Sequence, residues 1–198
     1  MSADEMTTEA PARRKPPAPL NGVNTPALFA TIDVVKETPK LGAFQFRASG
    51  EWQGGTHSCT TMSEFSGAGA EHMHKEAYSA DADHPAVLCG ADNAPSPVEF
   101  VLHALSSCIT AGIANIAAAR GIPLYSVKSS LEGDIDLRGI LGLSKEVRNG
   151  FSGVRARFDV KGHAPEAKLR ELVQQACARS AVLDMLTNGI PVSIEINN

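Results

Sequence analysis

The period of hydrophobic and polar positions changes several times along the chain, and each period predicts an element. The longest helical run opens at Ser96-Pro97-Val98-Glu99. Apolar residues then recur at Val98, Val101, Leu102, Leu105, Ile109, Ile113 and Ile116, one face of a 3.6-residue repeat. Ser96 suits an N-cap, Pro97 suits the first helical position, and Glu99 completes a capping box. Gly121-Ile122-Pro123 is a stop signal. The spacing predicts a helix from Pro97 to Arg120, roughly 36 Å long. In a chain of 198 residues that helix is the spine. Cys108 falls on its apolar face. Taken from the helix alone, a free cysteine there is more often a small core residue than a reactive one.

Shorter patterns surround the spine. Thr25-Pro26 opens a short helix with Leu28, Phe29, Ile32 and Val35, stopped at Thr38-Pro39. Ala43 to Gly50 alternates as a strand, Gly54-Gly55 marks a turn, and Thr56 to Met62 reads as the returning strand of a hairpin. Ser66 to Asp83 is polar and reads as a loop with a short strand near Ala77 to Ser79. Ala86 to Gly90 reads as a short apolar strand end. Beyond the spine, Ser126 to Leu137 and Phe151 to Lys161 alternate as long strands, with a glycine-containing excursion at Arg138 to Gly150. Pro165 opens a second helix carrying Leu169, Leu172, Val173, Ala176 and Cys177, with a break near Ser180. Asn188-Gly189 ends it, and Ile190 to Ile196 reads as a closing strand. Strands in clusters with helices between them predict an α+β fold with largely antiparallel sheets and two main helices carrying cysteines.

Composition narrows the class. Hydrophobic residues make up 43% of the chain, enough for a core. The net charge of −4 and the scattered basic residues argue against a nucleic-acid partner. No uncharged apolar run reaches the ~20 residues of a membrane span, so no membrane partner is expected. Residues 1–24, rich in Ala, Pro and charge, read as a disordered tail. The tail has no apolar signal-peptide core, and its acidic residues argue against a presequence, so a cytoplasmic location is expected. The four cysteines, Cys59, Cys89, Cys108 and Cys177, form no C-x-x-C pair. In a reducing compartment that leaves metal binding, catalysis or inert burial.

Asp92 to Cys108, with Cys177-Ala178-Arg179-Ser180 and the segment Ile190 to Ile196, resembles the OsmC/Ohr family of osmotically inducible and organic hydroperoxide resistance proteins. The resemblance covers about residues 43–198. It sets the domain reading as a tail over 1–24, a short helical extension over 25–42 and an OsmC-like domain over 43–198. Gly54 to Ser58, Gly67 to Gly69 and Leu137 to Ser144 are similar to a subgroup with an N-terminal extension and an inserted loop. The resemblance implies an intertwined homodimer that reduces organic hydroperoxides at the expense of a dithiol or thiol. Cys108 would be the peroxidatic thiol and Cys177 the resolving one, with no cofactor. The family's reductases carry an arginine after the Gly-Gly turn, where this chain has Thr56. His57, Arg47 and Arg179 are candidate substitutes. Glu99, one position later than the family's glutamate, reads as a cap that could also support the site. A non-catalytic redox sensor, or a binding protein for small apolar ligands, is the alternative on the same fold.

Other candidates are weaker. His72-Met73-His74, with His57, His84 and Cys59, lacks the closed spacing of a zinc site, so no metal is expected. His103 lies about 140° around the helix from Cys108 and reads as a packing residue.

Overall fold

The computed structural model describes residues 18–197, so most of the expected tail lies outside the described residues. The end of that tail is built into the fold. Leu20 and Val23 bridge across Asn21-Gly22. The Asn21 side chain donates to the Ile122 carbonyl at 2.9 Å and accepts from the Leu124 N–H at 2.8 Å. An amide offers both a donor and an acceptor, so one side chain ties this turn to the chain leaving the spine helix. Asn24 then caps α1 (Thr25–Glu37) by accepting from the Ala27 N–H. The helix stops before Thr38-Pro39, where proline removes the next amide donor.

Four strands make the first sheet: β1 (Gln45–Phe46), β2 (Ser49–Gly54), β3 (His57–Gly67) and β4 (Ala70–Ala82). β1 and β2 lie end to end along one edge of β3, and β4 lies along the other, all antiparallel. The expected strand over Ala43 to Gly50 is therefore two short strands. The Gly54-Gly55 turn is as expected, with both residues at positive φ. Ala68 and Gly69, also at positive φ, close the β3–β4 hairpin in the manner of a type I′ turn. The expected loop over Ser66 to Asp83 is corrected here, because most of it is β4. Its residues are exposed almost throughout, so no period-2 apolar signal announces it. Pairing with β3 makes it a strand.

After β4, Ala86–Leu88 forms a turn of 3-10 helix rather than a strand end, and Cys89 follows in the left-handed region at φ 63°. α2 (Pro97–Ala119) is the expected spine and ends one residue early. The Glu99 carboxylate accepts from both the N–H and the hydroxyl of Ser96, at 2.8 and 2.7 Å, as the capping box predicts. Gly121, at φ 68°, lets the Ile122 N–H reach back to the Ala117 carbonyl.

β5 (Leu124–Asp134) and β6 (Gly153–Gly162) form a separate two-stranded antiparallel sheet. The excursion between them holds one helical turn, α3 (Leu137–Ile140). α4 (Glu166–Ala178) and α5 (Ala181–Asn188) follow, broken at Ser180 as the sequence predicts. The core lies where α2 meets α4 and the β5–β6 sheet. Leu105, Ile109, Ile113 and Ala176 are buried there, with Val127, Leu131, Val154 and Phe158 packed against them. Among the described residues α2 alone is long and apolar enough to cross a bilayer, and here Leu105, Ile109, Ile113, Ala117 and Ala118 bury its inner face against protein. Ile190 to Ile196 corrects a further expectation. Among the described residues it pairs with no strand.

Candidate functional site

Cys108 is positioned by the buried ridge of α2. Leu105 and Ile109 to either side are almost fully enclosed, so the helix cannot rotate without exposing them. One turn on, Gly112 lets α4 approach closely: a Cβ there would stand 3.1 Å from that of Ala176. This approach carries the α4–α5 junction onto Cys108. Ser180, itself buried, donates its hydroxyl to the Cys108 sulfur at 3.2 Å. The backbone N–H groups of Val182 and Ala181, at the start of α5, also favour the thiolate. Burial pushes the Cys108 thiol up, but these three donors together outweigh it and hold the thiol below its ordinary value.

Cys177 lies in the last turn of α4, three residues before Ser180, and the Ser180 N–H donates to its carbonyl at 3.1 Å. Its side chain packs against the cluster of Leu105, Ile109, Ile113 and Ala176. Burial pushes its thiol up. The fold thus sets two free thiols near the α4–α5 junction, Cys108 bonded by Ser180 and Cys177 three residues before that serine. A cavity of about 1000 Å³ opens beside Cys177 between α2, β6, α4 and α5, and Cys108 is not part of its lining. Val101, Leu105, Phe158, Val173 and Leu183 give it apolar walls, Cys177 reaches it, and Arg148 and Phe151 of the excursion stand at its edge.

The supporting candidates lie in other bonds. Arg47 grips Glu71 through both terminal nitrogens, at 2.7 and 3.0 Å. His57 pairs with Asp81 at 2.9 Å. Glu99 is engaged in its cap. Thr56, at the position of the family's arginine, donates its hydroxyl to Asp83 at 2.6 Å. His72 Nε2 bonds the Gly67 carbonyl, and His72 and His74 both pack against the Phe65 ring. Among the described residues no group of three or more His, Cys, Asp or Glu side chains converges as metal ligands would.

Two residues escaped the sequence reading. Ser180 was legible only as the break between helices. Its signal is that of an N-cap, a serine before an apolar run with Asp184 in the first turn. Asp83 sat in a segment read as loop. It is 1% exposed and accepts from the Thr56 hydroxyl, the His84 and Asn93 N–H groups and the Asn93 side-chain amide.

A mixed α+β framework with one free cysteine on α2 and another in the last turn of α4 defines a class of cysteine-bearing α+β proteins. The OsmC-like protein family model matches residues 90–195, just over half of the chain, and the chain belongs to that family. Solved structures agree on the fold. An OsmC-like protein of Mycoplasma pneumoniae is 12% identical, with a TM-score of 0.53 over 77% of this chain and 96% of that one. A Psychrobacter arcticus protein named for osmotic stress induction and detoxification is 13% identical, with a TM-score of 0.54 over 72% and 88%. An organic hydroperoxide resistance protein OsmC of Legionella pneumophila is 17% identical, with a TM-score of 0.50 over 73% and 90%. No curated protein matches the chain.

Proposed function

We propose that the protein is a thiol-dependent peroxidase that reduces organic hydroperoxides to alcohols. The observation that carries this reading is a buried serine hydroxyl aimed at the Cys108 sulfur three residues after a second free thiol, Cys177. Cys108 is held low by three donors, and Cys177 is held high by burial. A thiolate is the nucleophile that peroxide cleavage needs. The Cys108 thiolate attacks one peroxide oxygen, the O–O bond breaks, and the alkoxide leaves and takes a proton. The sulfur becomes a sulfenic acid. The Cys177 sulfur then attacks the sulfenic sulfur. An S–S bond forms, and the departing hydroxide takes the proton that Cys177 brought, leaving as water. A thiol that keeps its proton until this step suits the second role. An external dithiol or thiol supplies two electrons and two protons by exchange to restore the pair. The apolar cavity beside Cys177 favours an organic peroxide over hydrogen peroxide. No cofactor or metal enters the scheme.

This reading includes a homodimer and a cytoplasmic, reducing location, in which four free cysteines persist. The test is consumption of cumene hydroperoxide with excess dithiol. Wild type should turn over. Cys108→Ser should lose consumption entirely, and Cys177→Ser should give one burst and stop. Full turnover by Cys108→Ser would overturn the assignment. A single oxidation of wild type without cycling would support the redox sensor instead, and binding of apolar compounds without oxidation would support the ligand-binding protein.

A further inference from the structure

The Cys108 sulfur is served by neutral donors alone, and the best placed of them is a side chain with its own constraint. The Ser180 oxygen accepts from the Leu183 N–H at 3.2 Å as the N-cap of α5, and the same hydroxyl donates to Cys108 at 3.2 Å. A hydroxyl has one proton and two lone pairs. With a lone pair held by the helix, and with Ser180 only 5% exposed, the proton is aimed at sulfur. Arg47 and His57 are committed to Glu71 and Asp81, on the other sheet. We propose that Ser180 is a catalytic residue of this site, its hydroxyl holding the Cys108 sulfur as a thiolate where no guanidinium does. The inference rests on the peroxidase reading for its purpose, but its chemistry is that of the thiol itself.

The physical basis is asymmetry between the two protonation states. A hydroxyl gives a thiol sulfur little, because that sulfur is a weak acceptor. It gives a thiolate a charge-assisted bond, which is about twice as strong as a neutral one. The difference favours loss of the proton. The N–H groups of Ala181 and Val182 act in the same sense at the first turn of α5. The titration of Cys108 is thus set by burial against three uncharged donors within residues 180–182. The bond also fixes the segment just after Cys177 against the sulfur that Cys177 must reach.

The test reads the thiol directly. Full-length protein is alkylated with iodoacetamide from pH 5 to 10, and the Cys108 and Cys177 peptides are quantified by mass spectrometry. In Ser180→Ala, Cys108 alkylation at neutral pH should fall about tenfold, with the rate at high pH kept and the midpoint moved up. Ser180→Thr keeps donor and cap and should follow wild type. Ser180→Gly removes the donor without adding charge, and glycine is a tolerated N-cap, so it should fall as far as Ser180→Ala while α5 keeps its start. A merely structural cap would leave Ser180→Gly like wild type. If Ser180→Ala fails to fold, the Ser180→Thr and Ser180→Gly pair decides alone. A Cys108 profile unchanged in Ser180→Gly overturns the inference, whatever the peroxidase assay gives. A shifted profile in a protein that never consumes cumene hydroperoxide overturns the peroxidase reading and leaves Ser180 in place.

Discussion

Asp83 shows how much one side chain can organise. Its carboxylate gathers the turn of the first hairpin through Thr56, the chain direction at His84 and the approach to α2 through Asn93. The Thr56 hydroxyl, then the Asn93 N–H, hold the carboxyl far below the usual carboxylate range, although burial opposes them. A carboxyl whose folded pKa is depressed adds stability at pH values above its unfolded pKa of about 3.9 and loses it as pH falls towards the folded value. Asp83→Asn, which adds donors where donors already converge, should lower Tm at pH 7 and flatten the fall of Tm between pH 5 and 2. Thermal melts across that range check it, and an unaltered acid limb would refute it. The loop held by Asp83 is also sterically tight. A Cβ on Gly90 would fall 1.8 Å from the His84 carbonyl oxygen, so Gly90→Ala should cost about 1–3 kcal/mol in urea unfolding. Neither residue could be found in the sequence, because each depends on a partner brought in by the tertiary fold.

At the scale of elements, legibility followed burial. α2 was readable because one face is buried and its cap is local, so both its period and its start are written in consecutive residues. β4 was not readable, because both its faces are exposed within the chain and its identity comes from its ladder with β3. The break between α4 and α5 was readable, but not its use, since the Ser180–Cys108 bond joins residues far apart in sequence. The two cysteines were legible as a pair only through the family resemblance. Ile113, fully buried one turn past Ile109 and next to Gly112, is at the centre of the α2–α4 contact. Ile113→Ala should cost about 2–5 kcal/mol by urea denaturation, since a cavity remains where the side chain was. The same variant should loosen the α4–α5 junction over Cys108 and slow its alkylation at neutral pH. A loss below about 1 kcal/mol would mean that the helix contact collapses freely around the gap.

The whole molecule leaves apolar surface that a single chain does not cover. Ile190, Val192, Ile194 and Ile196 alternate along the C-terminal segment and are 57, 76, 84 and 82% exposed. An alternating, unpaired segment of this kind is a pairing surface once it is drawn into a sheet. Among the described residues the β5–β6 sheet has two strands, packed across one face on α2 and α4, with unpaired outer edges. The proposed homodimer answers both needs if the C-terminal strand of each chain pairs within the assembled pair. A stable interface of this kind buries about 1,600 Å² in total. Wild type should sediment at twice its mass of 20.8 kDa. Val192 and Ile194 share one face in strand periodicity only if a residue between them is skipped, and Ser193 is that residue. The double change Val192→Lys with Ile194→Lys should therefore place two charges on the pairing face and yield a monomer by analytical ultracentrifugation. Since α2 and the Ser180–Cys108 bond lie within one chain, the monomer should keep its α2–α4 core and its low-pH alkylation of Cys108. A double variant that stays dimeric would move the interface away from the C-terminal strand. One that loses both the dimer and the reactive thiol would show that the second copy, and not Ser180 alone, holds Cys108 ready.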